Sequence, residues 1–154
     1  MTNPITASAK LASKGRIIQA NLAADAKVLA LQYGQRVLPF KIGINGDFLA
    51  IAKEGRRTRL REAIRLYVCR TAYLRAMAAE GSMRHDINGE PAEAVADDHR
   101  LCARQILEWR ASFWADPKAW AAASGLSKPR EMAAIMKLSA FEVHEALFPR
   151  KKAA

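Results

Sequence analysis

The sequence predicts a mostly α-helical domain that carries one small β-hairpin and continues into a helical C-terminal extension. Three observations carry that reading. Over residues 58 to 69 the apolar positions Leu60, Ala63, Ile64, Tyr67 and Val68 fall at the i, i+3, i+4, i+7, i+8 spacing of a single buried helix stripe. Asn88-Gly89 is a strong hairpin-turn dipeptide, with the short strand-like run RHDI before it and EPAEAV after it. From Asp116 onward helix punctuation recurs: Asp116-Pro117 starts a helix and Gly125 ends it, Ser127 with Pro129 starts another, and Ser139 with Glu142 makes a capping box for the last.

The remaining elements follow in order. Apolar residues at mixed helical spacing over 9 to 33, interrupted at Gly15 and ending at Gly34, predict one or two helices. After Pro39, the run FKIGINGDFLAIA reads as a loop entering a short helix that starts near Asp47, an N-cap or first-turn acid. A helix over 71 to 79 is expected to bury Leu74, Met77 and Ala78 and to leave Tyr73 on a different, partly exposed side. Asp97 and Asp98 offer N-cap chemistry to a helix running through HRLCARQILEWRASFW, with Leu101, Cys102, Ile106 and Leu107 inward. Trp109, Trp114 and Trp120 cluster where the extension begins; glue between extension and domain is the heavier reading, stacking platforms for bases the lighter. The chain thus divides into an N-terminal helical segment (1–37), a core (38–110) and a helical extension (111–154) ending in the basic tail PRKKAA.

Composition bounds the function. Of 154 residues, 25 are Lys or Arg and 15 Asp or Glu, a net charge of +10; the hydrophobic fraction is 51%, but 31 of those residues are Ala, so the core is thin. The longest apolar runs, FLAIA and AWAAA, are far short of the roughly 20 residues that span a bilayer. The stretch MTNPITASAKLASKGR lacks the apolar core of a secretory signal, which predicts a cytoplasmic protein. Cys69 and Cys102 form no CxxC pair and are expected to be free, largely buried thiols.

Such an excess of positive charge calls for a polyanion. Between Glu54 and Arg75 there are seven arginines and two acids, and Arg57, Arg61 and Arg65, spaced by four, line up on one helix face as a ladder that can follow a phosphate backbone. The guanidinium fork holds phosphate bidentately and stacks on bases, which an ammonium does not. A solvated helix face is the bland alternative. His99 and Cys102 lie one turn apart, yet two ligands are too few for a metal site, and His85, His144 and Cys69 add no paired spacing. Glu90, Glu93, Asp97 and Asp98 read as local caps rather than a cation site. The sequence shows neither GxSxG nor a phosphate-binding glycine loop, since GINGD lacks its spacing and following Lys, so no enzyme, cofactor or metal is expected.

The order of segments is itself distinctive: PFKIGINGD, then the LREAIR helix with its following Tyr67, a Tyr73-Leu74 pair, RHDINGEP, and a helix containing His99. Over roughly residues 38 to 107 it strongly resembles the ProQ/FinO family of bacterial RNA-binding proteins. The resemblance implies a compact helical fold with a small hairpin, binding structured RNA such as terminator-like stem-loops with single-stranded 3′ tails, and chaperone activity in small-RNA or antisense regulation. It also implies an RNA-binding surface at Lys41, Arg61, Arg65, Tyr73 and Arg84, with Arg57 and Arg70 as helpers. After Pro91, the run Ala92-Glu93-Ala94 departs from the small residue and Gly-Glu usual in the family. A monomer is expected, with no membrane partner. The alternative is a DNA-binding transcriptional regulator that places the arginine-rich helix in a major groove; that helix has no Asn or Gln to read bases.

Overall fold

A computed structural model of the protein describes residues 37–52 and 54–151; the helices expected over 9 to 33 and the end of the basic tail lie outside them. The apolar stripe of residues 58 to 69 forms helix α2, Arg57–Val68, which turns Leu60, Ala63, Ile64 and Tyr67 into the core. Ahead of it stand α1, Ile44–Ile51, and one turn of 3-10 helix, Glu54–Arg56. After it come α3 (Thr71–Ala78), β1 (Met83–His85), β2 (Pro91–Ala94) and α4 (Asp97–Ala115). Three eight-residue helices follow: α5 (Pro117–Ser124), α6 (Pro129–Met136) and α7 (Ala140–Leu147).

Helix α1 begins at Ile44, three residues before the expected start. Gly43 supplies its N-cap in the left-handed conformation (φ 81°), which glycine adopts without the Cβ penalty, so Asp47 serves as a first-turn acid and not as the cap. The hairpin forms as expected and does so across the departure after Pro91, with Met83 opposite Ala94, His85 opposite Pro91 and an irregularity between them. Its loop is an Asx turn in which the Asp86 carboxylate accepts from the N–H groups of Asn88 and Glu90 at 2.8 and 3.0 Å.

A pairing the sequence did not signal is the parallel bridge of Phe40 to His85. The His85 N–H donates to the Pro39 carbonyl and the Lys41 N–H to the His85 carbonyl, both at 2.8 Å, so residues 39 to 41 run as a third, very short strand beside β1. Phe40 then stacks on Tyr67 (ring centroids 4.6 Å) and meets Phe48 and Tyr73 at 5.8 Å. This aromatic group, with Leu60, Ile64, Leu74 and Ile106, is the centre of the first core.

Helix α4 differs from expectation in its inward face. Ala103, Ile106, Arg110 and Phe113 are buried, whereas Leu101 and Cys102 are exposed. The reason is the close packing of α4 on α3, where small Ala103 comes against the buried end of α3 at Met77 and Ala78; the neighbouring positions are swung to solvent. Cys69 is half-buried, so neither thiol is deep in the core. Asp97 and Asp98 lie in the first turn, not at the cap, which is Ala96; Asp97 pairs with Arg100 and Asp98 accepts from the His99 N–H. Likewise Lys128, not Ser127, caps α6, with Pro129 at its first position. The Asp116 cap and the Ser139–Glu142 capping box form as expected.

The segment boundary read at residue 110 falls inside α4, which continues without a break into a second core of Phe113, Met132, Met136, Val143 and Leu147. Trp109 packs on both cores and is the indole that glues extension to domain; Trp120 packs within the second core, meeting Phe113 edge-on at 5.7 Å, and Trp114 stays half exposed.

Arg110 ties the two cores together from a buried position. Its Nε donates to the Met136 carbonyl and its Nη2 to the carbonyls of Cys69 and Lys137, all at 2.7 Å, with Nη1 3.3 Å from the Thr71 hydroxyl. These carbonyls close the C-terminal ends of α2 and α6, where the helix dipoles are negative, so a cation satisfies both charge and orphan acceptors. Arg110→Met keeps the apolar stem but strands three carbonyls. We expect a loss of at least about 3 kcal/mol in urea unfolding, with amide exchange rising at the ends of α2 and α6.

Candidate nucleic-acid interface

The site is built where the strand of residues 39 to 41 turns into α1. Phe40 leaves both of its backbone polar groups pointing at side chains: its N–H donates to the Tyr73 hydroxyl at 3.0 Å, and its carbonyl accepts from Arg84 Nη1 at 2.8 Å. Tyr73 comes from α3 and Arg84 from the middle of β1. Both were expected at a ligand surface, Tyr73 on a partly exposed side of its helix. Both are instead buried. Tyr73 faces inward because its hydroxyl has an acceptor's role at the Phe40 N–H, and Arg84 bonds the Phe40 carbonyl and His99 (Nη2 to Nδ1, 2.9 Å).

These two side chains nonetheless reach the bottom of a cavity of about 340 Å3. Lys41, Arg61 and Arg65 stand on its walls, and the N-terminal turn of α1 at Gly43 to Asn45 opens onto it, adding the positive end of a helix dipole. Five of the seven residues singled out in the sequence are thus brought together. Arg57 stands on the exposed first turn of α2, outside the cavity, and Arg70 sits at the N-cap of α3 and lines a different depression.

Two of the cations are held by exposed carboxylates. Lys41 Nζ lies 2.9 Å from Asp47, whose hydrogen bond and charge raise the lysine pKa. Arg65 is gripped by Glu62 at 2.6 and 3.1 Å, which raises the arginine and lowers the glutamate. Pairs this exposed are weak, screened by salt, and exchange readily for a phosphate. Arg84 is different. Among the described residues no carboxylate pairs with it, and its Nε is buried without an acceptor. Within the described residues its charge therefore has no counter-ion in the cavity wall that it lines. The Tyr73 oxygen accepts from Phe40, so its own hydrogen remains for an acceptor in the cavity.

Sequence reasoning missed Phe40, Gly43 and His99. The PFKIGI segment was read as loop because a three-residue strand that pairs in parallel leaves no periodicity to detect. No group of three or more His, Cys, Asp or Glu among the described residues is arranged to hold a metal ion, and no helix among them is long and apolar enough to cross a membrane.

Compared with protein-family models, residues 18–117 match the ProQ/FINO family, a span that runs past the 38 to 107 resemblance at both ends. No curated protein matches the chain.

Two outcomes follow from the site's support. Tyr73→Phe keeps the ring packing and removes the acceptor for a buried N–H, and should cost about 1–3 kcal/mol of stability by chemical unfolding. Burial pushes the Tyr67 phenol up to about 12, against an unfolded value near 10, so the neutral phenol belongs to the folded state. Its contribution is whole below pH 10 and is lost as the pH climbs from about 10 to 12, by about 3 kcal/mol. Tyr67→Phe should lose its share of that decline when unfolding is followed across this range, keeping the share that comes from Tyr73, whose phenol burial also raises.

Proposed function

We infer that this chain, which belongs to the ProQ/FinO family of RNA-binding proteins, grips the base and 3′ end of an RNA stem-loop and acts as an RNA chaperone in regulation by small or antisense RNA. The observation that supports this reading most is the convergence of Lys41, Arg61, Arg65, Tyr73 and Arg84 on one cavity. Its exposed cations suit a phosphate backbone, and its floor offers a hydroxyl and an unneutralised guanidinium to the hydroxyl-rich end of an RNA strand.

The geometry divides the work. Arg57, Arg61 and Arg65 repeat every four residues on the exposed side of α2, about 6 Å apart along the axis, and track the phosphates of a stem. Tyr73 and Arg84, fixed by Phe40, take the strand end and do not move to meet it. Contacts of the first kind are salt-screened and mobile, which suits a protein that must release one RNA to another; contacts of the second kind hold register. No bond is made or broken by any of these residues.

A titration of a stem-loop with a 3′ uridine tail, beside a DNA duplex of the same sequence and at two salt concentrations, tests the reading. The RNA should bind much more tightly than the duplex. Arg61→Ala and Arg65→Ala should each weaken it by about 1 kcal/mol and flatten the salt slope by roughly one. Glu62→Gln, which releases Arg65 from its ion pair, should strengthen it about two- to threefold. Equal binding to RNA and DNA, with salt alone mattering, overturns the reading and favours a general polyanion surface.

A further inference from the structure

The cavity just described is one end of a longer trough. Val68 lines it, lines a neighbouring depression of about 250 Å3 that shares Tyr73 and Arg84, and lines a third of about 940 Å3 between α2, α3 and the C-terminal helices. Arg65 belongs to the first and third, and Lys137 to the second and third. The largest depression is lined by five cations and one carboxylate, Glu142, and that carboxylate is spent on the Ser139 capping box.

Two residues of this trough are arranged in a way that packing does not explain. Trp114 meets Phe113 edge-on (4.9 Å, 72°) and keeps half its surface exposed beside Arg75 and Lys137, while Trp109 and Trp120 are tucked between or into the cores. Lys137 closes α6 in the left-handed conformation (φ 51°, ψ 40°), the one non-glycine residue at positive φ among the described residues. Glycine is the usual occupant of such a helix end, and only the backbone carbonyl of Lys137 is used by Arg110. A strained lysine in glycine's place lines two adjoining depressions and brings a cationic side chain there.

We propose that the trough beyond Arg84 is a second RNA subsite, in which a single-stranded flank of the bound stem-loop stacks one base on Trp114 and lays its phosphates on Arg75 and Lys137. The occupant follows from charge and shape: an aromatic face among cations is what an unpaired nucleotide strand needs, whereas a duplex offers no open base to stack. The inference rests on the RNA-binding reading above and extends it to residues of the C-terminal helices.

The test uses the full chain and two RNAs, the tailed stem-loop alone and the same stem-loop with a six-nucleotide unpaired 5′ flank. Wild type should bind the flanked RNA at least about fivefold more tightly. Trp114→Leu and Lys137→Gly should each remove most of that gain and leave the unflanked RNA bound as before, with Lys137→Gly melting at or above the wild-type temperature because the strain is relieved. That combination separates a binding role from a structural one. If both variants keep the full gain, or weaken both RNAs alike, the subsite is overturned and the proposed function stands. If wild type binds neither RNA better than duplex DNA, both fall.

Discussion

Everything at the candidate interface depends on how the backbone of Phe40 is held. A residue in a three-residue strand has little pairing of its own, and its two polar groups would be costly if buried unmet. Here the N–H goes to Tyr73, the carbonyl to Arg84, and the neighbours on either side to His85. The ring completes the anchor by stacking on Tyr67. Because Lys41 and Gly43 follow directly, fixing Phe40 fixes the direction of α1 and the wall on which Lys41 stands. The same two side chains that hold the strand floor the cavity, so the fold and the site share one set of hydrogen bonds.

A second constraint repeats the theme with another arginine. Arg84 and Arg110 are both buried, and among the described residues neither hydrogen-bonds a carboxylate: Arg110 binds three backbone carbonyls and the Thr71 hydroxyl, and Arg84 binds one carbonyl and the His99 ring. Burial lowers the Arg110 pKa, with Cys69 and Glu142 opposing, and the clustered carbonyls at two helix ends offset that cost. Arg110 joins the extension to the core, and Arg84 joins the strand to the hairpin. Such polar clamps fix the joints between elements around two small apolar cores.

Helix α2, the hairpin and the caps at Asp116 and Ser139 were legible in the sequence because each is specified by residues within a few positions of one another. The inward face of α4 was not, because Leu101 and Cys102 satisfy a helical stripe as well as Ala103 does, and only the proximity of α3 decides between them. Of the site, the exposed arginines announced themselves through spacing by four. Tyr73 and Arg84 were picked out through the family resemblance, but their burial was invisible, since it follows from a strand pairing with no local signature. Lys137 gave no sign at all: a left-handed lysine is seen only once its backbone is.

The contacts that close the Phe40 clasp join residues 33 and 44 positions apart, whereas α2, α3 and the hairpin are built from near neighbours. Closing such long loops carries an entropic cost that local contacts avoid. The cavity thus depends on long-range closure, whereas the arginine face of α2 is laid down by one helix alone.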